Sequence, residues 1–354
     1  MEHLIPESLV VGLPQWQLLV IAAVAIAVLG KGADWLVDGA SGLAYRLGIS
    51  KVIVGATIVS LGTTSPECAV SVMAAWGGEP GLALGNAIGS IVADSGLIFG
   101  LGCLITVLPA DRFVLSRQGW VQFGSGVLLA LVCYGAFVVA GDGATITRQV
   151  GLLLLAILAA YMWVSVGWSR KHRHGEPFQM DDDTEKQRKA HQSLLFLLSI
   201  CGVGLVMVLL SSRVMIVSVT ELAEEHWQVP KVVIASTLVA LGTSLPELVI
   251  GLASIMKGHK EILVGNIIGA DILNVLFVVG ASAFAAPLPI IEQGARIPRI
   301  VLYVHIPTML LILVLFRLFI FSAAKRGEFR RWYGVPLLAL YVVYVVVQYV
   351  ISVG

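Results

Sequence analysis

Residues 54–72 read VGATIVSLGTTSPECAVSV, and residues 234–252 read IASTLVALGTSLPELVIGL. Set over each other at a shift of 180 positions, residues 51–102 and 231–282 agree at fifteen places without a gap. The shared residues include Gly62/Gly242, Thr63/Thr243, Pro66/Pro246, Glu67/Glu247, Gly85/Gly265, Asn86/Asn266 and Gly89/Gly269. Both copies are apolar runs with one carboxylate at the same place. An ionisable group in hydrocarbon costs roughly 2.5–3.5 kcal/mol on insertion scales, so each glutamate is a candidate functional residue.

Working outward, the rest of the chain is of the same kind. Of its 354 residues 58% are hydrophobic and 13% charged, with a mean hydropathy of +0.91, the composition of a multi-span membrane protein. Apolar runs long enough to cross a bilayer core of about 30 Å recur along it. We read ten spans: 15–41, 52–76, 82–108, 118–140, 148–168, 193–220, 232–256, 262–286, 299–321 and 333–352. The runs are continuous rather than alternating, so the expected class is an all-α integral membrane protein. The one sizeable polar connection, 169–192, separates a first five-helix repeat (1–168, repeated segment 54–102) from a second (193–354, repeated segment 234–282).

Lys and Arg set the orientation. With the N-terminus outside, inner loops hold sixteen (Arg46, Lys51, Arg112, Arg117, Arg170, Lys171, Arg173, Lys186, Arg188, Lys189, Lys257, Lys260, Lys325, Arg326, Arg330 and Arg331). The outer loops hold four: Arg148, Lys231, Arg296 and Arg299. Both termini are therefore expected outside, in a cell inner (plasma) membrane, with 169–192 cytoplasmic. Five spans per half make the halves inverted, as in secondary transporters that bind cargo between repeats.

A net charge of +1 argues against a nucleic-acid partner. The start, MEHLIPESL, lacks the basic residues of a signal peptide and is expected to be mature. Cys68, Cys103, Cys133 and Cys201 lie in apolar stretches without CxxC pairing and read as buried, inert thiols.

Each copy carries two polar clusters. The first is Gly-Thr-Thr-Ser-Pro-Glu, 62–67, matched by Gly-Thr-Ser-Leu-Pro-Glu, 242–247. Pro66 lacks an N–H and crowds the preceding turn, so the helix is expected to kink or break near Gly62 and to free carbonyls around Ser60–Thr63, with Ala240–Thr243 as their match. Glu67 lies one turn after Thr63, and Glu247 one turn after Thr243. The second cluster is GNAIGSIVAD, 85–94, matched by GNIIGADILN, 265–274. Its glycines allow close helix approach, and Asp94 is matched with Asn274 across the repeat. Asp271 is expected to face away from Asn274. Carboxylates, hydroxyls, an amide and bare carbonyls form a hard, flexible oxygen site that suits Ca²⁺ better than Mg²⁺ or a transition metal. Three carboxylates carry −3, a charge that three monovalent cations balance.

Several polar residues have blander readings. Lys31, Asp34 and Asp38 share one face of the first span and are expected to pair with each other or meet water. Arg213 reads as a structural or gating partner of a nearby acid, Arg317 as a snorkelling side chain, and His305 as a satisfied interior histidine. The acidic run 181–183 lacks the spacing of a calcium loop.

The paired GTS-x-PE and GN-x-x-GS motifs resemble the α-repeats of the Ca²⁺/cation antiporter superfamily, in particular its prokaryotic Na⁺/Ca²⁺ exchangers. The resemblance covers all ten spans. It implies a core built from the second, third, seventh and eighth helices, over which the first and sixth slide. It implies ion ligands at Thr63, Thr64, Glu67, Ser90 and Asp94 in the first repeat, with Ser60 through its carbonyl. In the second repeat they fall on Thr243, Ser244, Glu247 and Asn274, with Ala240 through its carbonyl. Ala270 and Asp271 stand where Ser-Asn is usual.

The function expected on these grounds is a secondary antiporter, not an enzyme. It would extrude Ca²⁺ against Na⁺ entry, with no covalent cofactor, in the bilayer, a single chain being the transport unit. Coupling to H⁺ or K⁺ stays open, as does a cation channel. An intramembrane enzyme would need Asp94 and Asp271 to face each other.

Overall fold

The computed structural model describes residues 11–47, 49–78, 80–172, 192–227, 244–291 and 299–353. Among these, nine helices are long and apolar enough to cross a membrane. They are α1 (Gln15–Leu47), α2 (Lys51–Gly77), α3 (Pro80–Ile105), α4 (Arg112–Gly143), α5 (Arg148–His172), α6 (Leu194–Glu221), α8 (Lys260–Ala285), α9 (Val301–Arg326) and α10 (Arg331–Ile351). A shorter apolar helix, α7 (Leu245–Met256), stands in the place of the seventh span. The expected start of that span, the greater part of the polar connection, and Thr243, Ala240, Lys231 and Arg296 lie outside the described residues.

Two turns repeat the sequence match. Gly78 ends α2 at φ +94°, and its equivalent Gly258 follows α7 at φ +73°. A side chain at either φ is strained, so each glycine turns the chain tightly from one span into the next.

Four short strands fix which loops share a face. They are β1 (Leu108–Pro109), β2 (Thr145–Ile146), β3 (Leu288–Pro289) and β4 (Glu328–Phe329). β1 pairs antiparallel with β4, Leu108 opposite Phe329, and β2 pairs with β3, Ile146 opposite Leu288. Each pairing ties a loop of one half to a loop of the other. The chain must therefore cross an even number of times between β1 and β4, and between β2 and β3. Six helices, α4 to α9, separate the first pair and four, α5 to α8, the second, so the seventh segment counts as a crossing. β1 and β2 are one helix apart and lie on opposite faces. The matched loops of the two halves, β1 and β3, thus face opposite sides, as inverted repeats require.

Small residues set the tightest packing. α1 runs antiparallel along α6. A Cβ on Gly204 would fall 2.6 Å from the Leu36 nitrogen and 2.7 Å from the Gly32 carbonyl, and one on Gly39 would fall 2.8 Å from Ile200 Cγ2. At the other end Leu18 clusters with Val217 and Leu222. α2 meets α8 in the same way: a Cβ on Gly55 would fall 2.6 Å from the Ile262 carbonyl. One on Gly265 would strike the Val52 carbonyl, and one on Gly269 the Ala56 backbone. Backbone-to-backbone approach of this kind is how helices associate where lipid gives no hydrophobic drive. Gly85 and Gly89 meet nothing closer than 3.9 Å among the described residues. The segment that the repeat sets against them, 232–240, lies outside these.

Of the expected kink or break near Gly62, the break does not occur. α2 continues as α-helix from Ser60 to Gly77 with Pro66 inside it. Its irregularity lies upstream, in a π-helical turn at Gly55–Val59 against the α8 backbone. The carbonyls of Ser60 and Leu61 are not bare either. Thr63 Oγ1 donates to Ser60 O at 3.2 Å and Ser65 Oγ to Leu61 O at 2.5 Å.

Candidate cation site

The site lies where α2, α3, α7 and α8 converge. Thr63, Thr64 and Glu67 project from α2, Ser90 and Asp94 from α3, Ser244 and Glu247 from the start of α7, and Asn274 from α8. With Ser60, all of them are buried. Glu247 lies in the first turn of α7, with Pro246 at a first-turn position where its missing N–H costs nothing. The positive end of the helix dipole favours a carboxylate there.

The fold brings the two glutamates together. Glu67 lies within electrostatic reach of Glu247 and of Asp94, and Asp94 within reach of Glu247. Thr63 faces Glu247, and Ser244 faces Asp94. Neither hydroxyl closes a hydrogen bond to the acid it faces: among the described residues both Glu247 oxygens and Ser244 Oγ lack a partner. Asp94 and Asn274 occupy equivalent irregularities: π-helical turns span Ala93–Ile98 in α3 and Asn274–Val279 in α8. Such turns widen a helix and often mark functional positions. The turn in α8 also touches α2, where Cys68 Sγ lies 3.9 Å from the Phe277 carbonyl.

These side chains are not satisfied by one another. Glu67 Oε2, Asp94 Oδ1, both Glu247 oxygens, both Asn274 amide atoms, Thr64 Oγ1, Ser90 Oγ and Ser244 Oγ are buried without a hydrogen-bond partner among the described residues. A buried polar atom left unpaired costs about 1–3 kcal/mol, more when charged, so native proteins contain few. Here nine of them fall on seven candidate residues. Oxygen dominates the set, with one amide nitrogen, and it suits a hard cation. Among the described residues no three His, Cys, Asp or Glu side chains close tightly enough to grip one ion alone. A cation held here would draw on hydroxyl, amide and carbonyl oxygens as well.

Sequence reading missed one part of this centre. Asp271 is buried, and its Oδ2 accepts from Ser95 Oγ at 2.5 Å on α3 and from Gln122 Nε2 at 2.6 Å on α4. It lies within electrostatic reach of Asp94. Gln118 and Gln122, four apart and both buried in an apolar span, were the available signal.

Other expectations change at the periphery. Asp34 and Asp38 pair with Lys257 rather than with Lys31: Lys257 Nζ lies 2.7 Å from Asp38 Oδ2 and 3.0 Å from the Asp34 carbonyl. Lys31 sits 6.0 Å from the Trp35 ring. Arg317 is buried between the rings of Trp120 and Phe321, at 4.1 and 4.4 Å, and bonds the Leu115 carbonyl instead of snorkelling. Arg213 has no acidic partner among the described side chains. His305 is satisfied by Tyr344 Oη at 2.8 Å and Gln348 Nε2 at 3.2 Å. All four cysteines are buried and free.

Comparison with known proteins agrees with this architecture. A family described as sodium/calcium exchanger protein matches the chain twice, over residues 17–167 and 196–350. The sodium/calcium exchanger MaX1 of Methanosarcina acetivorans is 28% identical over 356 residues, covering 94% of this chain and 98% of its own. The inner membrane protein YrbG of Escherichia coli is 31% identical over 272 residues, 75% of this chain and 81% of its own. The structure of the sodium/calcium exchanger from Methanococcus jannaschii superposes with a TM-score of 0.76 at 24% identity, covering 94% of this chain and 99% of that one.

Proposed function

The chain belongs to the sodium/calcium exchanger protein family, and from that premise we propose that it is an antiporter that extrudes Ca²⁺ against Na⁺ entry. The supporting observation is the set of buried, unpartnered oxygens around Glu67 and Glu247. A desolvated, ionised glutamate pair is unstable unless bound cations or protons neutralise it. One Ca²⁺ or several Na⁺ ions would meet that need, and each set would exclude the other. Glu67 and Glu247 are the central ligands and Asp94 supplies the third charge. Thr63 and Thr243 stand between ion positions. Ser60, Thr64, Ser90, Asn274, Ser244 and Ala240 complete the shells through hydroxyl, amide or carbonyl oxygens.

Access alternates by motion of the α1–α6 pair over the remaining helices. Glycine contacts bind these two helices closely to each other, so they move as one piece. An unneutralised cage opposes closure because its carboxylates repel in low dielectric. Only the ion-loaded protein passes between the two faces, which couples the fluxes. Three carboxylates balanced by three Na⁺ and exchanged for one Ca²⁺ make transport electrogenic. Both termini lie outside a cell membrane, in two five-helix repeats, 1–168 and 193–354, joined by the inner loop 169–192.

The test is Ca²⁺ uptake by proteoliposomes loaded with Na⁺, K⁺ or a low-pH buffer, one gradient at a time. Uptake driven by Na⁺ alone is expected. Uptake driven only by the pH gradient, or only with K⁺ present, would reassign the counter-ion. Glu67→Gln and Glu247→Gln are each expected to abolish exchange while keeping a monodisperse protein, and full exchange by either variant removes the site.

A further inference from the structure

Asp271 is a fourth buried carboxylate, and nothing in the three-carboxylate scheme uses it. Its Oδ2 is engaged twice, by Ser95 and by Gln122, while its Oδ1 has no partner. Gln122 also reaches Ser95 Oγ, at 3.4 Å. Two donors on one oxygen position the carboxylate rigidly and leave the other oxygen free. Asp94 Oδ1, on the neighbouring helix and within electrostatic reach, is likewise buried and unpartnered. Neither acid has a basic partner recorded among the described residues. Three helices build this pocket: α3 with Asp94 and Ser95, α4 with Gln122, and α8 with Asp271.

We propose that Asp271, with Asp94 and Ser95, forms an additional subsite for one alkali cation, so that the Na⁺-loaded protein carries four monovalent ions rather than three. Each unpaired Oδ1 supplies a charged ligand, and Ser95 supplies a hydroxyl oxygen. Gln122 is a positioning residue that holds Asp271 by its amide nitrogen. Repulsion between the two acids, strong in a buried setting, is relieved when one cation lies between them. Glu67 and Glu247 hold the other cations, and Ca²⁺ bound there displaces all four. On this count the cage carries −4, and exchange of four Na⁺ for one Ca²⁺ moves two charges per cycle instead of one. The proposal deepens the exchange reading above and rests on it for the charge count, but not for the existence of the subsite.

The experiment has two readouts. Radioactive Na⁺ bound at saturation is counted on purified protein in detergent, and charge moved per Ca²⁺ is measured in proteoliposomes under voltage control. Asp271→Asn keeps the shape and removes the charge. It is expected to bind one Na⁺ fewer than the parent protein and to move one charge fewer per Ca²⁺. A separate double variant, Ser95→Ala with Gln122→Leu, leaves both acids in place. It is expected to bind the parent number of ions with a severalfold higher half-saturating Na⁺ concentration. Should Asp271→Asn aggregate, the double variant decides alone. An unchanged Na⁺ count in Asp271→Asn, or unchanged half-saturation in the double variant, overturns the subsite. A proton released in place of a bound Na⁺ overturns it too, by making the Asp94–Asp271 bridge protonic. A parent protein that binds Na⁺ but shows no Na⁺-driven Ca²⁺ flux defeats the exchange reading, while the ion count still tests the subsite.

Discussion

At the residue scale, each informative side chain is a buried polar group whose partners come from distant sequence. Asp271 is held from 176 and 149 positions away, by Ser95 and Gln122. Glu247 faces Thr63 across the repeat boundary. The cysteines mark the opposite case, side chains that behave as small hydrophobes. All four are buried, so the folded protein in mild detergent is expected to resist a maleimide reagent. Unfolding in strong denaturant should expose four reactive thiols, as read by mass spectrometry. Rapid labelling of the native protein would show that one of these helices does not pack as described. The glutamates were legible in the sequence because a carboxylate repeated in two apolar runs has few structural explanations. Asp271 was not, because its neighbours on α8 say nothing about which side chains α3 and α4 bring to it.

At the element scale, glycine decides contact and proline does not decide continuity. Gly204 lets α6 touch the α1 backbone. Gly204→Ala places a methyl group where backbone atoms already stand, and relief requires the helices to part. We expect a loss of about 1–3 kcal/mol, the usual range for overpacking, seen as a lower thermal midpoint of the purified protein. An unchanged midpoint would show that the pair is looser than its geometry implies. Pro66 shows the converse. Its lost hydrogen bond is a local fact, readable from sequence, and it suggested a broken helix. Glycines of α8 pack against α2 upstream of the proline, at Val52, Ala56 and Ser60, and the helix runs on through Pro66. The distortion appears instead as a π-helical turn about two to three turns upstream, a displacement no local rule foretells.

At the scale of the whole molecule, the strand pairs are the constraint. β1 with β4 and β2 with β3 each stitch one half to the other. They require loops of the two halves to share faces, and so an even number of crossings between them. Single cysteines can test this in a background without the native thiols. Arg112→Cys and Glu328→Cys are expected to react with a membrane-impermeant maleimide from one side of sealed vesicles. Gly143→Cys and Pro287→Cys should react from the other. Any other grouping of the four breaks the crossing count. The charge bias predicts further that the first pair lies on the cytoplasmic side.

What the sequence determined by itself is the class of molecule, the duplication and the polar repeat. Hydrocarbon admits only backbone that satisfies its own hydrogen bonds, so apolar runs of this length become helices whatever their neighbours. An acid inside such a run reveals itself by its cost. What only the tertiary structure decided is which acids meet. Asp271 within electrostatic reach of Asp94, Lys257 on Asp38 and Arg317 on the Trp120 ring each join different helices. In lipid, helix association follows shape and the few polar groups each face presents rather than hydrophobicity. That complementarity is a property of surfaces in register, which no single segment of the chain contains.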